Sequence, residues 1–283
     1  MTIEKNCVLH SDDKKSIVYD LYYTSTPRKK PVVIFCHGYK GFKDWGPWQL
    51  VAETFAKAGF IFLKFNFSLN GGTVTNPIDF PDLESFAMNN YSTELDDLDR
   101  VLNFVISENS YESEMDLTNI NVIGHSRGGG IALIKAEEDL KIKSVTTWAA
   151  VSDFKARFQE GTDAFKAWKT NGITYIENGR TKQQMPLYFQ FYTDFIENEV
   201  QLTIKRAVMN LRKPQLIIHG REDATVSIKE AMALHSWNPK SQFEVVQEAN
   251  HTFGTIHPWE EDKLPKDLLK AVNLTIKFLI KNN

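Results

Sequence analysis

Apolar residues along this chain fall into short runs that alternate with stretches of helical period, and the order of the two kinds of segment is informative. Residues 3–9 and 16–23 read as an opening antiparallel pair, separated by the polar turn Ser11-Asp12-Asp13-Lys14. Pro31-Val32-Val33-Ile34-Phe35-Cys36 is continuously apolar, as a strand covered on both faces must be. A helix is expected over 48–58, stopped by Gly59, followed by a strand over 60–67 and a loop rich in Asn, Gly and Pro over 68–81. Tyr91, Leu95, Leu98, Leu102 and Val105 recur at steps of four and three and mark one face of a helix. Further strands are expected at 120–123, 144–151, 214–219 and 242–247. Helices follow at 131–136, at 227–234 behind the capping box Ser227-Ile228-Lys229-Glu230, and at 264–280 with Leu268, Val272, Ile276 and Leu279 aligned.

Strands alternating with helices argue for an α/β fold: a mostly parallel sheet with helices on both faces. One segment breaks the rhythm. Residues 153–211 carry charges and many aromatics, Phe158, Trp168 and Phe191 among them, and are too long for a bare connection. They read as a helical insert, a lid or cap, with residues 1–152 and 212–283 forming the core. There are no repeats, low-complexity tracts or interdomain linker.

Composition narrows the function classes. The 283 residues suffice for a large core, and 42% hydrophobic with 24% charged residues is ordinary for a globular protein. A net charge of −3 shows no basic excess, so neither nucleic acid nor an anionic membrane surface is an expected partner. Apolar runs are strand-sized, and Met1-Thr2-Ile3-Glu4-Lys5-Asn6 has no signal-peptide character, so a cytoplasmic location is expected. The two cysteines, Cys7 and Cys36, then read as buried free thiols. No H-x-x-x-H or C-x-x-C pair occurs, and Gly38-Tyr39-Lys40-Gly41-Phe42-Lys43 lacks phosphate-loop spacing, so neither a metal nor a cofactor is expected.

The chemistry is carried by Gly124-His125-Ser126-Arg127-Gly128, which directly follows Ile120-Asn121-Val122-Ile123 and precedes a helix. A G-x-S-x-G corner between strand and helix throws the serine hydroxyl clear of the backbone, with glycines letting the two elements pass closely. A serine hydroxyl needs a base and an acid to orient that base. Of seven histidines, His10 ends the opening strand and His125 lies inside the elbow, expected to point away from the serine. His219 ends a strand, His235 rides on a helix and His37 precedes Gly38. His251, in a small-residue turn just after the last strand, is the candidate base; His257, followed by Pro258, is expected to rim the pocket. The candidate acid is Asp223, past the carboxyl end of a strand in His219-Gly220-Arg221-Glu222-Asp223, with Asp153 and Glu222 as runners-up. The backbone amides of Arg127 and Tyr39 are the candidate oxyanion donors, the second in the loop His37-Gly38-Tyr39-Lys40-Gly41. Trp45, with His37, Gly38 and His257, is expected to contact substrate.

Together His37-Gly38, the elbow, the 219–223 loop and the His251 loop make the chain resemble an α/β-hydrolase fold serine esterase over nearly its whole length. It is most similar to small bacterial carboxylesterases of the cinnamoyl/feruloyl-esterase and dienelactone-hydrolase-like type, which carry a lid after the sixth core strand, where residues 153–211 lie. Dienelactone hydrolases proper carry cysteine at the elbow, haloalkane dehalogenases aspartate, and prolyl oligopeptidases a long N-terminal propeller; this chain has none of these. The resemblance implies an α/β-hydrolase fold with an eight-stranded, mostly parallel sheet, a small-molecule ester as substrate, no cofactor, and compatibility with a homodimer.

Two other functions fit the sequence. An aminopeptidase or amidase on the same triad needs an acidic subsite for a free amine, for which Glu160, Glu177, Glu197 and Glu199 are the candidates. A non-catalytic binding protein of this fold would typically lack a triad member.

Overall fold

The computed structural model describes residues 1–282. The elements are β1 (Thr2–Leu9), β2 (Ile17–Tyr23), β3 (Lys30–Cys36), α1 (Trp48–Lys57), β4 (Ile61–Phe65), α2 (Leu83–Met88), α3 (Tyr91–Ser107), β5 (Met115–His125), α4 (Arg127–Glu138) and β6 (Ile142–Trp148). There follow α5 (Asp163–Asn171), β7 (Ile173–Glu177), β8 (Gln184–Tyr188), α6 (Gln190–Glu197), α7 (Glu199–Leu202), α8 (Ile204–Asn210), β9 (Gln215–Gly220), α9 (Ile228–Trp237), β10 (Gln242–Val246) and α10 (Lys266–Lys281).

Eight strands form one sheet in the order β1-β2-β4-β3-β5-β6-β9-β10, antiparallel at the β1-β2 and β2-β4 steps and parallel at the rest. Strand β3 shows why its sequence is apolar throughout. Val32, Ile34 and Cys36 join a core with α3, α4 and α9, while Val33 and Phe35 join a second core with α1 and α10 on the opposite face. A parallel strand flanked by helices on both sides has no solvent face to spare for polar residues. Among the described residues, no helix is long and apolar enough to cross a membrane. Cys7 and Cys36 are both free.

Boundaries differ from the sequence reading where the chain bends for reasons periodicity does not carry. The strand expected over 144–151 ends at Trp148, because Ala149 turns to φ 49° and the next residues wrap the elbow. There the Ser126 N–H donates to the Trp148 carbonyl at 2.9 Å, and the Val151 N–H to the Ser126 carbonyl at 3.3 Å. Helix α2 was missed; it is a short one, opened by the Asp82 carboxylate accepting from the Ser85 N–H at 3.0 Å. The segment 153–211 is mainly helical and also holds the antiparallel hairpin β7–β8. At α9, Ser227 caps as expected, but Glu230 turns outward from the box: it accepts from the Ser152 N–H at 2.7 Å and from Arg157, tying α9 to the segment after β6.

One polar cluster lies largely inside the fold, with Asp44 at its partly exposed edge. Lys43 bridges Asp20 (2.7 Å) and Asp44 (2.5 Å), and Lys64 bridges the same two carboxylates, meeting Asp20 at 2.7 Å. Lys43, Lys64 and Asp20 are buried. The ring fastens the stretch after β3 to strands β2 and β4. Breaking a buried pair strands its partner charge, so Lys64→Met is expected to lower unfolding stability by about 3–5 kcal/mol. Urea denaturation is the check, and a loss under about 1 kcal/mol, the scale of a surface pair, would show that the cluster is not the closed ring described.

Candidate active site

Ser126 occupies the corner between β5 and α4 at φ 54°, ψ −119°, a left-side conformation that a non-glycine residue adopts only under constraint. The neighbouring glycines explain how the corner can exist. A Cβ on Gly128 would run into the Cys36 and His37 carbonyls, so the first turn of α4 lies directly against the end of β3 and the loop that follows. The Arg127 amide, first in the helix, has no intrahelical acceptor. Gly38, in the loop after β3, comes so close that a Cβ there would sit 3.0 Å from the Ser126 Cβ.

The candidate acid and base come from adjacent loops at the same sheet edge. Asp223 follows β9, and His251 follows β10; Gly220 lets the two loops touch, since a Cβ at that position would strike the Ala249 carbonyl. The Glu222 N–H donates to that carbonyl at 3.0 Å, closing the contact. One Asp223 oxygen accepts the Thr225 and Val226 amides, each at 2.8 Å. The other lies 2.8 Å from His251 Nδ1, and His251 Nε2 lies 3.0 Å from Ser126 Oγ. Nδ1–H therefore donates to the carboxylate, leaving Nε2 to accept from the hydroxyl. Burial alone would raise the Asp223 pKa, but hydrogen bonds from His219, His251 and the Val226 amide hold it well below the usual carboxylate range. The runners-up stand apart: Asp153 is exposed and accepts from the Ala156 N–H at 3.2 Å, and the Glu222 side chain is exposed.

The remaining histidines divide between scaffolding and rim. His125, expected to point away from the serine, donates its Nε2–H to the His251 carbonyl at 3.0 Å, and the two rings lie 4.9 Å apart. It thereby ties the elbow to the loop that follows β10. His219 Nε2 lies 2.8 Å from the Val226 carbonyl and 3.3 Å from Asp223, bracing the acid loop from behind. His37, expected to contact substrate, lines the smaller cavity, with both its nitrogens engaged by backbone: Nδ1–H donates to the Gly38 carbonyl (2.9 Å) and Nε2 accepts the Phe67 amide (3.2 Å). It shapes the Tyr39 loop. His257 accepts the Gly46 N–H at 2.9 Å and stacks on Trp45 at 6.1 Å, both beside the cavity. His235, bonded to Ser241, and exposed His10 are elsewhere.

Two cavities open on Ser126 and His251. The larger, 590 Å³, is walled mainly by residues of the 153–211 segment, including Phe154, Phe158, Phe165, Trp168 and Phe191. The smaller, 390 Å³, is walled by the 37–48 loop, the His251 loop and the tip of the β7–β8 hairpin. In the larger, the Arg127 guanidinium lies 4.0 Å from the Tyr39 ring centre and pairs at 3.2 Å with Glu94, which also accepts from Asn89. Burial opposes its charge, but Glu94 and the adjacent phenols raise the Arg127 pKa. This buried pair was missed in the sequence. Its signal was a carboxylate inside the apolar stripe of α3, between Tyr91 and Leu98.

Burial drives the pKa of His37 down to about 4 and that of His125 to about 3. Unfolded, both would take a proton near pH 6.5, so below that pH the unfolded chain binds more protons and stability falls on acidification. The two rings should contribute a loss of roughly 5 kcal/mol by about pH 4.5, and His125→Gln should remove about half of the rings' share. Buried Asp97 partly offsets the loss: its pKa is pushed up to about 7, so the folded chain takes up its proton first. Urea midpoints of the wild type and His125→Gln measured from pH 8 to 4.5 check this; identical pH dependence in the two would mean that the His125 ring is not held neutral.

Comparison with known proteins agrees with this architecture. The family model for the alpha/beta hydrolase fold matches residues 31–164. The chain has the alpha/beta hydrolase fold. It is 22% identical over 261 residues to "Putative esterase/lipase 2" of Mycoplasma genitalium, covering 86% of this chain and 90% of that one. It superposes on Est1E of Butyrivibrio proteoclasticus with ferulic acid bound, at a TM-score of 0.73 and 18% identity, over 98% of each chain. It also superposes on alpha/beta hydrolase domain-containing protein 10 from mouse, at a TM-score of 0.67 and 15% identity over the full length of both. The chain thus resembles the esterase-type members of this fold.

Proposed function

We propose that this protein is a serine hydrolase that cleaves carboxylic esters through an acyl-enzyme. The observation that carries the reading is the His251 ring, bonded on one side to Asp223 and on the other to Ser126 at the strained elbow. Ser126 Oγ attacks the ester carbonyl as its proton passes to His251 Nε2. The tetrahedral oxyanion accepts hydrogen bonds from the Tyr39 and Arg127 amides. Collapse expels the alcohol, which takes the proton from His251; water then attacks the acyl-enzyme by the same route and releases the acid. Asp223 stays ionised throughout and stabilises the imidazolium.

The 153–211 segment acts in this reading as a cap over the larger cavity, whose aromatic wall suits a flat apolar group. Est1E binding an aromatic acid is consistent with that use of the insert. The aminopeptidase alternative loses its subsite: Glu160, Glu177, Glu197 and Glu199 line neither cavity, and Glu177 and Glu199 pair with Lys182 and Lys155 instead. Turnover of p-nitrophenyl butyrate, together with labelling by a fluorophosphonate reagent, tests the proposal. A protein that is folded but neither labelled nor active would be a non-catalytic member of the fold.

A further inference from the structure

No aspartate or glutamate lines either cavity beside Ser126. The charged side chains that do are Lys40, Arg127 and Arg157 in the larger, and Lys40 and Arg180 in the smaller. Three of these four cations are neutralised from outside the cavities: Arg127 by Glu94, Arg157 by Glu230 and Arg180 by Asp79. Lys40 differs. Its ammonium donates to the Glu177 carbonyl at 3.4 Å and lies 5.7 Å from the Tyr39 ring centre, but it forms no ion pair among the described residues. It lines both cavities and so stands where they meet, in the loop that brings the Tyr39 amide to the serine. Partial burial disfavours its charge and lowers its pKa, which an anion beside it would reverse.

A half-buried cation without a carboxylate, between two cavities free of acids, attracts anionic ligands and repels cationic ones. Resting on the ester-hydrolase reading above, we propose that the substrate is an ester bearing a carboxylate, and that Lys40 binds this group and sets the preference for it. The shared chemistry is an anionic ester; the charge sits either on the acid half or on the alcohol half.

The test is kcat/KM for two matched pairs. Mono-p-nitrophenyl glutarate against its methyl ester places the charge on the acid half, and 4-acetoxybenzoate against its methyl ester places it on the alcohol half. The wild-type protein is expected to favour the anionic member of one pair about tenfold or more, after correction for uncatalysed hydrolysis, and that pair identifies the half. Lys40→Met should lower this preference about ten- to a hundredfold, Lys40→Arg should retain most of it, and added salt should erode it. The surface variant Lys182→Met should keep the wild-type ratio. Preference for the neutral members, or an equal loss on both members in Lys40→Met, overturns the proposal and leaves the lysine a general electrostatic role. Absence of turnover on all four esters and of fluorophosphonate labelling would instead sink the ester-hydrolase reading.

Discussion

Ser126→Ala is expected to lower kcat/KM for p-nitrophenyl butyrate by about five to six orders of magnitude while leaving the protein folded. The size follows from losing the nucleophile, since the remaining oxyanion donors and binding contacts sustain only a small residual rate. The fold should tolerate the change. The Ser126 side chain is bonded to His251, whereas the corner itself is held by backbone bonds to Trp148 and Val151 and by the close passage of Gly128 over β3. Labelling by a fluorophosphonate should vanish in parallel, and a variant within tenfold of wild-type turnover would remove Ser126 from the reaction.

The second large effect is expected at Asp223→Asn, about four orders of magnitude in kcat with little change in KM. Here the geometry is unusually constraining. One carboxylate oxygen is fixed by two backbone N–H groups, from Thr225 and Val226. An asparagine must keep its carbonyl there and so presents its NH₂ to His251 Nδ1. The imidazole then moves its proton to Nε2, the atom that has to accept from the serine. The NH₂ also meets His219 Nε2–H, 3.3 Å from the replaced oxygen, donor against donor. Pre-steady-state kinetics should find acylation slowed; a loss in kcat below about tenfold would show that Asp223 serves the loop and not the base.

Much of this could be read from the chain because local pattern and chemistry coincide. Strand β3 is apolar throughout since it is covered on both faces, and the elbow motif fixes a strand, a corner and a helix in five residues. What escaped the sequence depends on neighbours. The orientation of His125 follows from a loop more than a hundred residues later, the end of β6 from its wrapping of Ser126, and the turn of Glu230 from Arg157 and the Ser152 amide. The hairpin β7–β8 is half exposed and carries Glu and Gln at its ends, so its alternation was hidden. Periodicity reports burial along one element; it is silent on which side chain crosses to another.

The two chambers that meet at the serine are built from separate stretches of polypeptide. One is furnished mainly by the segment between β6 and β9; the other rests mostly on the 37–48 loop and the His251 loop. A lineage can therefore recut most of the first mould by insertions or aromatic swaps in that segment, leaving the positions of Ser126, Asp223 and His251 in place. Alterations to the second chamber fall mostly on the 37–48 and His251 loops themselves. Diversification on this scaffold is thereby channelled: the first chamber is the freer to change, while the second is bound to the loops that carry Tyr39 and His251.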